Sequence, residues 1–166
     1  MADRKAAWVT ALAFFIVDQL TKWIVIGPLR LQERFQIELL PIFNLTWTEN
    51  RGISLGMAQA DSDLGRWLLV GGTAIIAGLV GWWITREKQR GDQLALAMVL
   101  GGALGNIVDR IRFGYVVDFL DLHFGDFRPF LVFNVADAAI SIGVVILLLR
   151  ALLVRPEAKE ERIENV

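Results

Sequence analysis

Four stretches of the chain stay apolar for nearly twenty residues, with polar or β-prone segments between them. They run over about 8–26 (WVTALAFFIVDQLTKWIVI), 66–85 (RWLLVGGTAIIAGLVGWWIT), 93–110 (QLALAMVLGGALGNIVDR) and 130–153. Each reaches the length an α-helix needs to cross a hydrocarbon core, roughly 20 residues for about 30 Å. The pattern predicts a mainly α, polytopic membrane protein with four transmembrane helices. The intervening segments, about 27–65 and 111–129, are longer than simple connections require. "FQIELLPIFNLTWT" (35–48) is rich in β-formers and interrupted by Pro41, and "GYVVDFLDLHF" (114–124) has the same character. Both predict short strands, forming a small extracytoplasmic β-cradle on the helical base.

Charge sets the expected orientation. Arg4 and Lys5 precede the first span, and Arg86, Lys88 and Arg90 lie between the second and third. Arg150, Arg155, Lys159 and Arg162 lie at or beyond the end of the fourth. Basic residues gather on the cytoplasmic side, so both termini are expected there and the two long loops outside. The start resembles a secretory signal, but "DQLTK" follows where a small-x-small cleavage site would stand, which predicts a retained helix. Residues 1–154 read as one membrane-embedded domain and 155–166, "RPEAKEERIENV", as a charged cytoplasmic tail. Trp8, Trp23, Trp82 and Trp83 fall near the span ends, where interfacial anchors belong.

Composition excludes several classes. A net charge of −1 gives no reason to expect nucleic acid. With no Cys and a single His, thiol chemistry and a His- or Cys-built metal site are absent, and no cofactor is expected. His123 reads as a surface residue, Gly114 and Gly125 as turn residues, and Arg128 with Pro129 as the lead into the fourth helix.

The polar residues inside the spans carry the chemistry. From Trp67 to Ile84 the second span has no charge and no Asn or Gln, as a purely structural span should. The first has Asp18, Gln19 and Lys22, the third Asn106, Asp109 and Arg110, the fourth Asn134 and Asp137. A charge at the bilayer centre costs about 2.5–3.5 kcal/mol on insertion scales, so such groups must pair, face the bundle or touch water. A helical rise of 1.5 Å puts Asp18 and Lys22 roughly 15 and 21 Å above Trp8, and Asn106 roughly 20 Å above Gln93. The fourth span descends, leaving Asp137 only about 10 Å below Phe130. All three sets reach the outer half of the membrane. Asp18 and Lys22 are i,i+4 neighbours, and Gly101 with Gly105 permits close helix approach. Interhelical glue alone would account for an Asp18–Lys22 pair, but not for this many carboxylates.

Asp118, in the apolar "GYVVDFLD", is placed near the level where Asp137 enters the fourth span. Two carboxylates close together in a low-dielectric site share a proton, which is what aspartic proteolysis uses. By spacing alone, Asp109 and Asp121 remain rivals for a place in that pair.

"DQLTK" (18–22), "ENRGISLG" (49–56), "GGALGNIVDR" (101–110), "VVDF" (116–119) and "FNVADAAI" (133–140) together resemble the signature blocks of bacterial lipoprotein signal peptidase, or signal peptidase II. Their order and intervals fit across nearly the whole chain. Arg51 and Ile53 depart from that family's more usual Asn-Thr-Gly-Ala run, while Asn50 and Gly52 are kept. The resemblance implies an intramembrane aspartic endopeptidase of the bacterial inner membrane, with its active site toward the periplasmic side. It would cleave signal peptides from diacylglyceryl-modified prolipoproteins just before the lipidated Cys. By motif, Asp118 and Asp137 would be catalytic, and Asp18, Lys22, Asn50, Gly52, Asn106, Asp109, Arg110 and Asn134 would bind substrate or support the site. The implied partners are prolipoproteins, membrane lipid and a globomycin-type cyclic peptide inhibitor, acting on a monomer.

Three rivals make different demands. A proton-coupled carrier needs polar groups through the full membrane thickness, and a non-catalytic scaffold needs neither Asp118 nor Asp137. A serine–lysine protease needs Lys22 beside Ser54 or Ser141.

Overall fold

The computed structural model describes residues 4–52 and 63–153. Among these are four long helices, α1 (Lys5–Ile26), α3 (Asp63–Arg86), α4 (Arg90–Phe113) and α5 (Val135–Leu153), and a single helical turn, α2 (Leu31–Arg34). All four long helices are long and apolar enough to cross a membrane. The ends follow local chemistry. α1 stops at Gly27, whose N–H bonds the Trp23 carbonyl, and Pro28 cannot continue the helix. α4 stops at Gly114, whose left-handed φ of 86° lets its N–H turn back to the Arg110 carbonyl. Between α3 and α4, the Glu87 carboxylate accepts the N–H groups of Lys88 and Gln89 at 2.7 and 2.8 Å, closing a tight reversal.

Strands β1 (Gln36–Leu40), β2 (Phe43–Asn50) and β3 (Val116–Leu122) form one antiparallel sheet in that order. Register along β2–β3 is interrupted. Leu45 pairs with Leu120 and Thr48 with Asp118, so Thr46 and Trp47 together oppose Phe119. Such a bulge bends the strand and frees a backbone group. Here the freed Phe119 N–H donates to the Phe133 carbonyl at 3.0 Å, which also accepts from Leu120 at 2.8 Å. The sheet thereby grips the residue just before α5.

α4 is the central helix, packing against α1, α3 and α5. Its most apolar window is 56% buried, against 17–22% for the other three, whose remaining faces are free for lipid. α3 buries only Gly65, Val70, Ala77 and Ile84, the last three one heptad apart, as a coiled-coil seam requires. Small residues on α4 allow the close contacts: an added methyl at Gly101 would strike the Ala11 carbonyl of α1, and at Gly102 the Ala136 carbonyl of α5. A second apolar cluster, including Val25, Leu31, Leu45, Val117 and Phe119, joins the sheet to the helix ends. Trp23 and Trp67 at the sheet end, and Trp8, Trp82 and Trp83 at the other, are all exposed, as interfacial anchors should be.

The expected four spans and outer strands are present, with two differences. The fourth helix starts at Val135 rather than near 130, because Phe133 is held in a bridge to Leu120 and Asn134 caps the helix. Arg128 and Pro129 thus lie in the loop before it. Asp118 sits in β3, within the segment expected to form a strand. His123 is half-buried rather than at the surface, its N–H donating to the Ile42 carbonyl at 3.0 Å. The charged tail, 155–166, lies outside the described residues.

Overpacking a tight interface costs about 1–3 kcal/mol. Gly102→Ala is expected to lower thermal stability in detergent on that scale. Gly71→Ala, where nothing lies within 4 Å of the added methyl, should leave it unchanged.

Candidate active site

The start of α5 builds one side of the site. Asn134 Oδ1 accepts the Asp137 N–H at 2.9 Å, and Asp137 Oδ2 accepts the Asn134 N–H at 3.3 Å. This reciprocal pair is a capping box, which satisfies two otherwise orphaned donors of the helix. It fixes Asp137 in the first turn, where the positive end of the helix dipole favours a carboxylate.

β3 builds the other side. Asp118 pairs across the ladder with Thr48 and is 1% exposed. Asn134 Nδ2 donates to Asp118 Oδ1 at 2.6 Å and to Asn106 Oδ1 at 3.2 Å. Asn106 Nδ2 in turn donates to Asp137 Oδ1 at 2.8 Å. Two amides therefore bridge the two carboxylates. Asn50 Nδ2 donates to the remaining Asp118 oxygen at 3.0 Å, while Asn50 Oδ1 accepts the Gly52 N–H at 3.1 Å. Gly52 has φ +100°, and a Cβ there would also lie 2.6 Å from Leu69, so glycine is required.

Both carboxylates line one cleft of about 1010 Å³. Thr48, Glu49, Asn50 and Ser141 add polar wall; Phe130 to Phe133 and Ile142 make the apolar side. Burial, and then the neighbouring Asp137 charge, push the Asp118 carboxyl up to about 7, against the hydrogen bonds from Asn50 and Asn134. Such a group is poised to hold or release a proton near neutrality.

Beneath the cleft, Lys22 is 2% exposed. Its ammonium meets Asp18 at 2.9 Å, Asp109 at 2.7 Å and Asn106 Oδ1 at 3.2 Å. Its nitrogen is occupied by these three acceptors rather than by a serine hydroxyl, which argues against the serine–lysine arrangement for Ser141. Ser54 and Ile53 lie outside the described residues. Arg110 follows Asp109 on α4, and its buried Nε has no hydrogen-bond partner.

The candidates from the sequence converge on this cluster, Asp109 as a supporting residue bonded to Lys22 rather than as a member of the carboxylate pair, while Asp121 stays apart. Asp109 lies beneath the cleft rather than on it, and Asp121 binds Thr46 at 2.9 Å and Arg128 at 3.3 Å, away from it. Gln19 was not singled out for the site, yet its Nε2 spans Asp18 at 3.1 Å and Asp109 at 3.0 Å. Its position inside an apolar span was the available signal. Thr48 carried none, because its place depends on strand register. Among the described residues, the buried polar groups of the spans gather at the sheet end; only Gln93 is buried at the opposite end, bonded to the Glu87 carbonyl. A transmembrane relay has no such one-sided distribution.

Residues 10–153 match the family model described as Signal peptidase (SPase) II. The chain belongs to the signal peptidase II family. It is 61% identical over 148 residues to the lipoprotein signal peptidase of Sphingopyxis alaskensis, covering 89% of this chain and 86% of that one. To the lipoprotein signal peptidase of Rhizorhabdus wittichii it is 57% identical over 157 residues, covering 94% and 91%. A bacterial membrane enzyme solved by the in meso method at 2.3 Å superposes with a TM-score of 0.78 at 27% identity, covering 96% of this chain and 95% of that one. Signal peptidase II is a membrane peptidase, a hydrolase, and the family's work is removal of prolipoprotein signal peptides.

The raised Asp118 carboxyl has a consequence for stability. Between an unfolded value of 3.8 and a folded value of about 7, the folded state binds more protons. Stability associated with this group is therefore full below 3.8 and is lost as pH rises through about 7. Asp118→Asn removes that loss, which at about 1.4 kcal/mol per pH unit amounts to a few kcal/mol. Thermal unfolding in detergent should show the variant gaining on the wild type from pH 5 to pH 8; parallel curves would contradict the assigned environment.

Proposed function

We propose that this chain hydrolyses the peptide bond immediately before the diacylglyceryl-modified Cys of a bacterial prolipoprotein, with Asp118 and Asp137 as an aspartic dyad. The observation that carries this reading is the pair of carboxylates on one cleft, joined through the Asn106 and Asn134 amides. The dyad is taken as sharing one proton. Its ionised member removes a proton from a water, whose oxygen attacks the scissile carbonyl. Its protonated member donates to the carbonyl oxygen as the tetrahedral intermediate forms. Collapse breaks the C–N bond: a dyad proton passes to the leaving amine of the lipidated Cys while the other carboxylate takes back a hydroxyl proton as the carbonyl reforms, so the dyad ends with one proton again. The chemistry needs neither metal nor cofactor.

The membrane setting fits this substrate. Extracting a lipid anchor costs about 0.8 kcal/mol per CH₂, and a cleft at the level of the anchor avoids that. In this reading residues 1–154 are one catalytic domain of a monomer in the inner membrane. Both termini and the 155–166 tail lie in the cytoplasm, and the sheet faces the periplasm. The placement of Arg4, Lys5, Arg86, Lys88 and Arg90 at the end opposite the sheet supports that orientation.

General acid–base groups contribute roughly 10²–10⁴-fold each. In lipid, with a diacylglyceryl-modified prolipoprotein as substrate, Asp118→Asn and Asp137→Asn are expected to lose at least that much turnover while remaining folded. Turnover equal to wild type in both would reject the dyad. A globomycin-type cyclic peptide is expected to compete with substrate for the cleft; inhibition kinetics that prove purely non-competitive would place its site elsewhere.

A further inference from the structure

Lys22, Asp18 and Asp109 do more than neutralise one another. Asp18 Oδ2 receives the Lys22 ammonium at 2.9 Å, and its other oxygen accepts the backbone N–H of Ala136 at 3.0 Å. Asp109 Oδ2 receives Lys22 at 2.7 Å and also accepts the backbone N–H of Val117 at 3.1 Å. Ala136 is the residue immediately before Asp137, and Val117 the residue immediately before Asp118. The two acids that flank one cation thus each hold the backbone next to one carboxylate of the cleft. Gln19 Nε2 ties the acids to each other, and Lys22 also fixes Asn106, because an ammonium can only donate to its Oδ1. That leaves the Asn106 Nδ2 pointing at Asp137.

We propose that Lys22, Asp18 and Asp109 are positioning residues: a buried charged frame, contributed by α1 and α4, that sets the separation and orientation of Asp118 and Asp137. The inference rests on the dyad reading and adds a mechanism to it. Neither carboxylate of the cleft is bonded to the frame directly; it acts through the preceding peptide N–H of each. Local bonds hold Asp137 in its capping box and Asp118 in its ladder, and the Asn134 amide and the Phe133 bridge join β3 to the start of α5 from above. The frame joins them from beneath, since one cation spans both acids. Gly105 makes room for it, because a methyl there would collide with the Asp18 carboxylate.

The test compares Asp109→Asn, Asp18→Asn and Gly105→Ala with Gly143→Ala, a control that crowds the α4–α5 interface at Ala95. Turnover of a diacylglyceryl-modified prolipoprotein is measured per folded enzyme, with kcat and KM separated and kcat followed against pH. Misplacing reacting groups by about 1 Å costs up to ~10²-fold in rate. The frame variants are expected to lose kcat on that scale with KM nearly unchanged, and to move the alkaline limb of the pH profile, because dyad separation sets how strongly one acid raises the other. Gly143→Ala should lower thermal stability yet keep kcat and the profile. If Asp109→Asn does not fold, Gly105→Ala, which alters no polar group, decides the matter. Wild-type kcat and pH profile in the folded variants, or a loss matched by Gly143→Ala, would overturn the frame. If Asp118→Asn and Asp137→Asn were inactive in the same assay, the dyad would stand without it.

Discussion

A lysine ammonium enclosed in an apolar span has few places to go, and that constraint organises the sheet end of this molecule. Lys22 is 2% exposed, and a lone cation at such a position would cost several kcal/mol. Asp18, one turn away on α1, pairs with it within the helix, and α4 adds Asp109, so docking of the two helices completes the charge cluster. Gly101 and Gly105 let the two helices come that close. The acids still have acceptor capacity: the second oxygen of Asp18 takes the Ala136 N–H, and Asp109 Oδ2 takes the Val117 N–H beside the ammonium. Helix packing, strand placement and the geometry of the cleft are consequently coupled to a single buried ion cluster.

Asn134 shows how closely folding and chemistry are joined. One side chain caps α5 through its oxygen and reaches Asp118 and Asn106 through its nitrogen. An amide is the side chain suited to both tasks, since it accepts at one atom and donates at the other without carrying charge. Serine or aspartate could cap a helix as well. Neither would present an NH₂ group to a buried carboxylate, and aspartate would add a third negative charge beside the pair.

Much of this was legible in the sequence because it rests on local rules. Spans are long runs of apolar residues, and Asp18, Lys22, Asn106, Asp109 and Asn134 stand out against them. The strands followed from β-formers around Pro41 and in "GYVVDFLD". The start of α5 differs because hydropathy cannot separate an apolar helix from an apolar irregular segment, and "FLVF" before Asn134 is the latter. Its true signal, an Asn followed three residues later by an Asp, was present but open to a functional reading alone; it serves both purposes. The bulge at Thr46 and Trp47 and the Phe133 bridge had no local signature. Both depend on which strand residue meets which, and that is fixed only once β3 has docked.

The cleft's two walls argue for how a substrate would lie in it. One wall is the end of β2, with polar Thr48, Glu49 and Asn50; the other is apolar, from Phe130 to Phe133 and Ile142. Leu131 is 91% exposed and Phe130 61%, and both adjoin the free face of α5, where Ile142 and Val145 are also exposed. An extended peptide can find hydrogen-bond partners along the polar wall, while an acyl chain attached to it can remain against the apolar one without leaving lipid. The carboxylates sit where these walls meet. In the proposed function, a substrate that is part peptide and part lipid would present its junction to them, and a purely soluble peptide would leave the apolar wall facing water.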